Sequence, residues 1–220
     1  MALPRGARLR APEALARMAK EHEPRYCFLD HGGPFQLLVA VILSAQCTDA
    51  MVNKVTPELF RRWPTPQALA KAPRAEVEKV VYRTGFYRAK AKNIQGCAAM
   101  LVERFGGEVP RRMADLMSLP GVARKTANVV QGNVWGQSEG VCVDTHVGRV
   151  ARRLGLTAEE DPVGVEEDLM RLYPEKDWIE APYHFIQLGR SFCDAKKPDC
   201  ANCYLADLCP KRGVDARHGH

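Results

Sequence analysis

Lys125 occupies an awkward place for a structural cation. It follows Arg124 at the start of a helical segment, 124–134, which a tight turn, Leu119-Pro120-Gly121-Val122-Ala123, joins to a shorter helix over 113–119. Such a helix-hairpin-helix points several backbone N–H groups and the positive end of a helix dipole outward together, and that arrangement holds a phosphate without reading a base. Arg124 and Lys125 add positive charge at the same place. The dipole and Arg124 both disfavour an ammonium at Lys125, and a neutral amine is what nucleophilic attack requires. A plain surface cation is the alternative; the unfavourable placement argues for chemistry. Further on, Val143-Asp144-Thr145-His146-Val147 sets a carboxylate at the start of a helix over 145–154. Capping alone accounts for an aspartate there. A cap uses one oxygen, however, and leaves the other for a catalytic role, while His146 reads as structural.

Cys193, Cys200, Cys203 and Cys209 follow the spacing C-x6-C-x2-C-x5-C. Four thiolates so close in sequence serve as metal ligands in a reducing compartment, and they suit either tetrahedral zinc or a cubane iron-sulfur cluster. The lack of histidine between the first and last ligand, and Pro210 just after, lean toward iron-sulfur. The loop between the first two ligands projects Lys196 and Lys197, which either touch phosphate or belong to a solvated charged loop. Cys27, Cys47, Cys97 and Cys142 are scattered among apolar neighbours and read as small core residues.

The elements that position these groups are helical. Pro34 to Ser44 is apolar nearly all round, which predicts a central helix buried on most sides. Thr48 and Thr65 are placed as N-caps, the second followed by Pro66 at the first helical position. Ala91, Ile94, Ala98, Leu101, Val102 and Phe105 form one apolar face ending at Gly106 and Gly107. Further stops fall at Gly85, at Pro120 and Gly121, and at Gly155, while Val141 to Val143 is strand-like without a partner. The chain therefore reads as all-α. With 32 Lys and Arg against 26 Asp and Glu, its formal charge of +6 favours a polyanionic partner without naming one. At 220 residues it holds one large domain or two small ones. No stretch has the length of a signal peptide core or a membrane span, so a soluble cytoplasmic protein is expected.

The run Leu119 to Ala127, then Val143 to Val147, then the four-cysteine spacing, closely resembles the endonuclease III family of the helix-hairpin-helix DNA glycosylase superfamily. Leu43-Ser44-Ala45-Gln46-Cys47-Thr48-Asp49 and Gly85-Phe86-Tyr87-Arg88-Ala89-Lys90-Ala91 also look like segments of that family, and the match covers about residues 25 to 212. The resemblance implies a bifunctional DNA glycosylase and AP lyase of base excision repair, with a 4Fe-4S cluster held by the four cysteines. Its expected partner is double-stranded DNA containing oxidised pyrimidines, such as thymine glycol, or abasic sites. A monomer is expected, nucleoid-associated in a bacterium, with no membrane partner. The implied fold has two lobes: 26–138, a helical barrel lobe carrying the hairpin (about 113–134), and 1–25 with 139–212, a cluster lobe, leaving 213–220 as a flexible tail. DNA would lie in the groove between them, with Lys125 and Asp144 facing each other at its mouth.

By the same resemblance Gln46 fills the gap left by an extruded base, and Phe86 stands where an apolar wedge enters the stack, a position at which the family often has a smaller aliphatic residue. Gly121, Ala123, Arg124, Lys196 and Lys197 complete the expected DNA contacts. Ala123 replaces the glycine usual in the family hairpin, so a helical backbone there leaves the phosphate site intact, whereas a positive φ would strain it; slightly weaker DNA anchoring is expected. Monofunctional adenine or mismatch-thymine glycosylases carry another residue at the lysine position, and adenine glycosylases usually continue into a further domain beyond the cluster. A scaffold that only bound DNA would require neither Lys125 nor Asp144.

Overall fold

The computed structural model describes residues 2–22 and 27–215. Of the expected tail, 216–220 lie outside the described residues, as do Met1 and 23–26 near the expected lobe boundary. The described residues form eleven α-helices and no strand: α1 (Ala7–Glu21), α2 (Pro34–Ser44), α3 (Asp49–Arg62), α4 (Pro66–Lys71), α5 (Arg74–Val81), α6 (Tyr87–Phe105), α7 (Met113–Met117), α8 (Arg124–Trp135), α9 (Thr145–Arg153), α10 (Pro162–Leu172) and α11 (Ala181–Ser191). None is long and apolar enough to cross a membrane. The chain divides into two compact units, Cys27–Gln137 and Met1–Tyr26 with Ser138–His220.

In the unit Cys27–Gln137, α2 is the hub. Every side chain from Leu37 to Leu43 is buried, and α3, α6 and α8 pack around it. Each large aliphatic chain so buried contributes about 1.5–3 kcal/mol. The helix starts follow local chemistry: Thr48 Oγ1 accepts from the Met51 N–H at 3.3 Å, and Thr65 Oγ1 from the Ala68 N–H at 3.2 Å. Gln95 of α6 is buried because its amide donates to the end of α4, to Leu69 O at 3.2 Å and Ala72 O at 2.7 Å, and accepts from Arg74. Ala91, Ile94, Ala98 and Leu101 line the buried face as expected, but Val102 is 37% exposed. At 100° per residue it lies at the flank of the apolar stripe, where burial is incomplete. Among the scattered thiols Cys97 is buried and burial pushes it up to about 12, whereas Cys27, Cys47 and Cys142 are only partly covered.

The other unit is built from α1 and from α9 to α11. Arg10 of α1 ties its N-terminal end to the end of α9, donating to Leu154 O at 2.9 Å and to Gly155 O at 2.8 Å. Val141 to Val143 is irregular rather than strand, and Val141 enters the core of this unit. Asp161 caps α10, and the buried Asp168 carboxylate accepts from Thr157 Oγ1 at 2.6 Å.

Candidate active site

The hairpin turn is seated on α6. Val122 N–H donates to Leu119 O at 3.1 Å, and both side chains are buried. Gly121 has φ +80°, and a Cβ there would stand 2.9 Å from Asn93 Cβ on α6. Glycine is thus required twice, by backbone angle and by contact. Pro120 meets α6 at Gly96, where an added Cβ would lie 3.3 Å from the proline ring. Ala123 is the N-cap of α8 with φ −88° and ψ 170°, neither helical nor positive but extended. Any residue adopts that conformation, so the expected weakening from an alanine at this place loses its physical basis.

Arg124 and Lys125 are the first two residues of α8, and both are exposed. The cap residue is an alanine and no acid stands in the first turn, so the helix itself supplies neither a side-chain cap nor an acidic residue at the positive end of its dipole. The opposite face is locked: Ala127 and Val130 are buried, and Gln131 Nε2 donates to Arg111 O at 2.7 Å. Lys125 therefore projects from a rigid support into an environment suited to anions.

Two further expected DNA contacts share an unusual backbone. Among the described residues the non-glycines with positive φ are Gln46 (51°), Phe86 (47°) and Lys211 (52°). Gln46 is exposed, and Phe86 is 68% exposed at the N-cap of α6, an unfavourable setting for a phenyl ring in water. Left-handed non-glycine residues cost about 1–2 kcal/mol and concentrate where function over-determines the conformation.

Asp144 lies in the other unit from Lys125. It is half-buried and caps α9, Oδ1 accepting from the Val147 N–H at 2.8 Å, and Oδ2 takes no part in that bond. His146 is held by Arg149 at 3.0 Å, and burial keeps it below the ordinary histidine value.

The four cysteines of the spacing line one small, largely apolar cavity of about 30 Å³, partly open to solvent, bounded also by Val150, Leu188 and Leu205. Among the described residues no three His, Cys, Asp or Glu side chains converge tightly enough to hold a single metal ion. Four sulfur donors around one cavity are a donor set that either a tetrahedral metal ion or an iron-sulfur cluster can take. Burial holds the Cys203 and Cys209 thiols above their ordinary value, Cys209 at about 11, so a bound metal is what would favour their thiolate form. Lys196 and Lys197 are exposed, and their N–H groups donate to Asp194 Oδ1 at 2.9 Å each, which fixes the loop that carries them.

Sequence reading missed Arg153. Its guanidinium, on a residue only 9% exposed, donates to Cys193 Sγ at 3.4 Å, to Asp194 O at 2.6 Å and to Ala195 O at 2.9 Å. The available signal was the pair Arg152-Arg153 at the end of α9, where an arginine meets the start of the cysteine segment.

Residues 39–175 match the family described as HhH-GPD superfamily base excision DNA repair protein. The endonuclease III of Synechocystis sp. is 55% identical over 201 residues, covering 91% of this chain and 92% of that protein. The endonuclease III of Bacillus subtilis is 48% identical over 184 residues, covering 83% and 84%. A solved structure of a trapped endonuclease III–DNA covalent intermediate superposes with a TM-score of 0.87 at 44% identity, covering 93% of this chain and 96% of that one.

Proposed function

Since the chain belongs to the endonuclease III family, within the HhH-GPD superfamily of base excision DNA repair proteins, and is a DNA glycosylase and lyase of that type, we propose that Lys125 is its nucleophile. The substrate of this reading is double-stranded DNA carrying an oxidised pyrimidine or an abasic site. What carries it is the placement of Lys125: exposed, one residue into a helix that starts without an acid or a side-chain cap, directly after a turn pinned to α6. A relative trapped as a covalent DNA intermediate supports the same chemistry.

The damaged nucleotide leaves the stack, which costs least where the lesion already pairs or stacks poorly. The amides at Gly121 and Ala123 and the Arg124 cation hold backbone phosphate, Gln46 fills the vacated place, Phe86 wedges the stack, and Lys196 and Lys197 contact phosphate further along. The Lys125 amine attacks C1′ and the base leaves with the electron pair of the glycosidic bond. Asp144 stabilises the positive charge that grows on the sugar, using the oxygen that does not cap α9. Opening of the sugar ring gives an imine between Lys125 and C1′. Loss of a C2′ proton then expels the 3′ phosphate and cuts the strand.

Cys193, Cys200, Cys203 and Cys209 would hold a 4Fe-4S cluster, which when bound cross-links the 193–209 segment and so fixes the lysine-bearing loop. Neither base loss nor elimination transfers an electron. Incubation with a panel of duplexes, each carrying one lesion, with and without borohydride, tests the reading. Trapping on oxidised pyrimidines is expected; release of free base without trapping would overturn the bifunctional assignment.

A further inference from the structure

Lys90 is 5% exposed, and among the described residues no carboxylate lies within ion-pairing distance. A buried cation with no carboxylate beside it is unfavourable unless fixed dipoles replace its water. Here one does. Lys90 Nζ donates to Thr84 O at 2.7 Å, at the carbonyl end of the 3-10 turn Tyr82–Thr84, where the negative pole of the preceding helical segment favours a cation. The backbone N–H of the same residue donates to Phe86 O at 3.0 Å. One residue thus grips the carbonyls on both sides of Gly85, itself at φ +70°. Thr84 is held in turn, its buried Oγ1 donating to Val81 O at 2.8 Å.

We propose that Lys90 is a positioning residue for Phe86: its two hydrogen bonds clamp the Thr84-Gly85-Phe86 turn and hold the exposed ring in the left-handed backbone from which it enters the base stack. The inference rests on the reading of Phe86 as the wedge. Burial disfavours the Lys90 ammonium, so a lysine retained here at that cost needs a role that an apolar residue of equal length would not fill. Tyr82 and Tyr87, whose rings lie 4.9 Å apart, flank the turn in sequence but supply no hydrogen bond to its carbonyls.

The test compares Lys90→Met, which keeps length and loses the donor, with Phe86→Ala and the double variant. Two readouts are taken on the full-length, metal-loaded protein. One is the fluorescence gain of 2-aminopurine flanking a tetrahydrofuran abasic analogue in duplex DNA, which reports wedge insertion. The other is lyase activity on an abasic site in single-stranded DNA, where there is no duplex stack to enter. Lys90→Met is expected to lower the fluorescence gain about threefold or more, with single-strand activity within about twofold of the parent, and the double variant to be no worse than Phe86→Ala alone. An unchanged gain in Phe86→Ala would remove the wedge reading on which the inference stands. A normal gain in Lys90→Met when Phe86→Ala is defective, or effects that multiply in the double variant, would overturn the role of Lys90 itself. Should Lys90→Met not fold, Lys90→Gln is judged by the same gain and the same double-variant criterion.

Discussion

Gly121→Ala should damage the hairpin, and Ala123→Gly should not. At Gly121 the new methyl group meets φ +80° and a contact of 2.9 Å with Asn93 Cβ, an atom fixed to the backbone of α6 and unable to rotate away. The left-handed conformation costs about 1–2 kcal/mol. Overpacking against an immovable neighbour adds about 1–3 kcal/mol, for an expected loss of about 2–5 kcal/mol if the turn holds its place. If the turn moves instead, part of that loss appears as weaker DNA binding, about tenfold for each 1.4 kcal/mol. No cation is removed, so the dependence of binding on salt should keep its slope. Ala123 at φ −88° imposes neither cost, and Ala123→Gly should lose only about 0.4–1 kcal/mol through the freer unfolded chain. Urea unfolding and DNA titration over a salt series measure both variants. Gly121→Ala within about 0.5 kcal/mol of the parent, the ordinary range of harmless surface changes, would overturn this contrast between the two positions. So would a gain in DNA affinity on Ala123→Gly.

Asp144→Asn keeps an N-cap while removing the charge, so stability should hold while turnover falls about a hundredfold or more, whereas Asp144→Ala should also lose about 1 kcal/mol of stability; equal turnover in Asp144→Asn and parent would contradict a charge-stabilising role. Cys203→Ser should lose bound iron and its visible absorption, and a parent protein carrying one zinc and no iron would contradict the cluster assignment. Phe86→Gly should unfold at higher urea than Phe86→Ala by about 1 kcal/mol, because glycine relieves the left-handed backbone; equal midpoints would remove the strain. Burial lowers His22 and His146 below 6.5, so the unfolded chain takes up protons first as the solution is acidified. Stability present above that pH is then lost as pH falls through it, and His146→Gln should shrink the loss; an unchanged loss between pH 7 and 5.5 would count against it.

The elements whose cause is local were legible in the sequence. Thr48, Thr65 and Asp144 cap helices through bonds to their own next turn, and Pro34 to Ser44 is apolar enough to name its own burial. Gly121 was readable as a turn, but the reason only glycine fits comes from Asn93, 28 residues earlier in sequence. Arg153 reaches the cysteine segment 40 residues away, and no spacing rule records such a contact. Lys90 looked like one residue of a family segment, and its burial depends on the carbonyl it meets six residues back. The left-handed backbones at Gln46 and Phe86 were equally hidden, since neither residue type announces a positive φ. Cys27, Cys47 and Cys142 were expected in the core but are only partly covered, because they lie in connecting segments rather than on a packed helix face, and Val102 lies at the flank of the buried face of α6.

As the proposed nucleophile, Lys125 should carry the covalent bond to DNA. Borohydride reduction of the parent protein on a duplex carrying one thymine glycol, followed by proteolysis and mass mapping of the DNA-linked peptide, addresses it at the level of a single atom. One adduct is expected, on Lys125, absent from Lys125→Ala. An adduct on any other amine, or complete base release with no adduct at all, would contradict it.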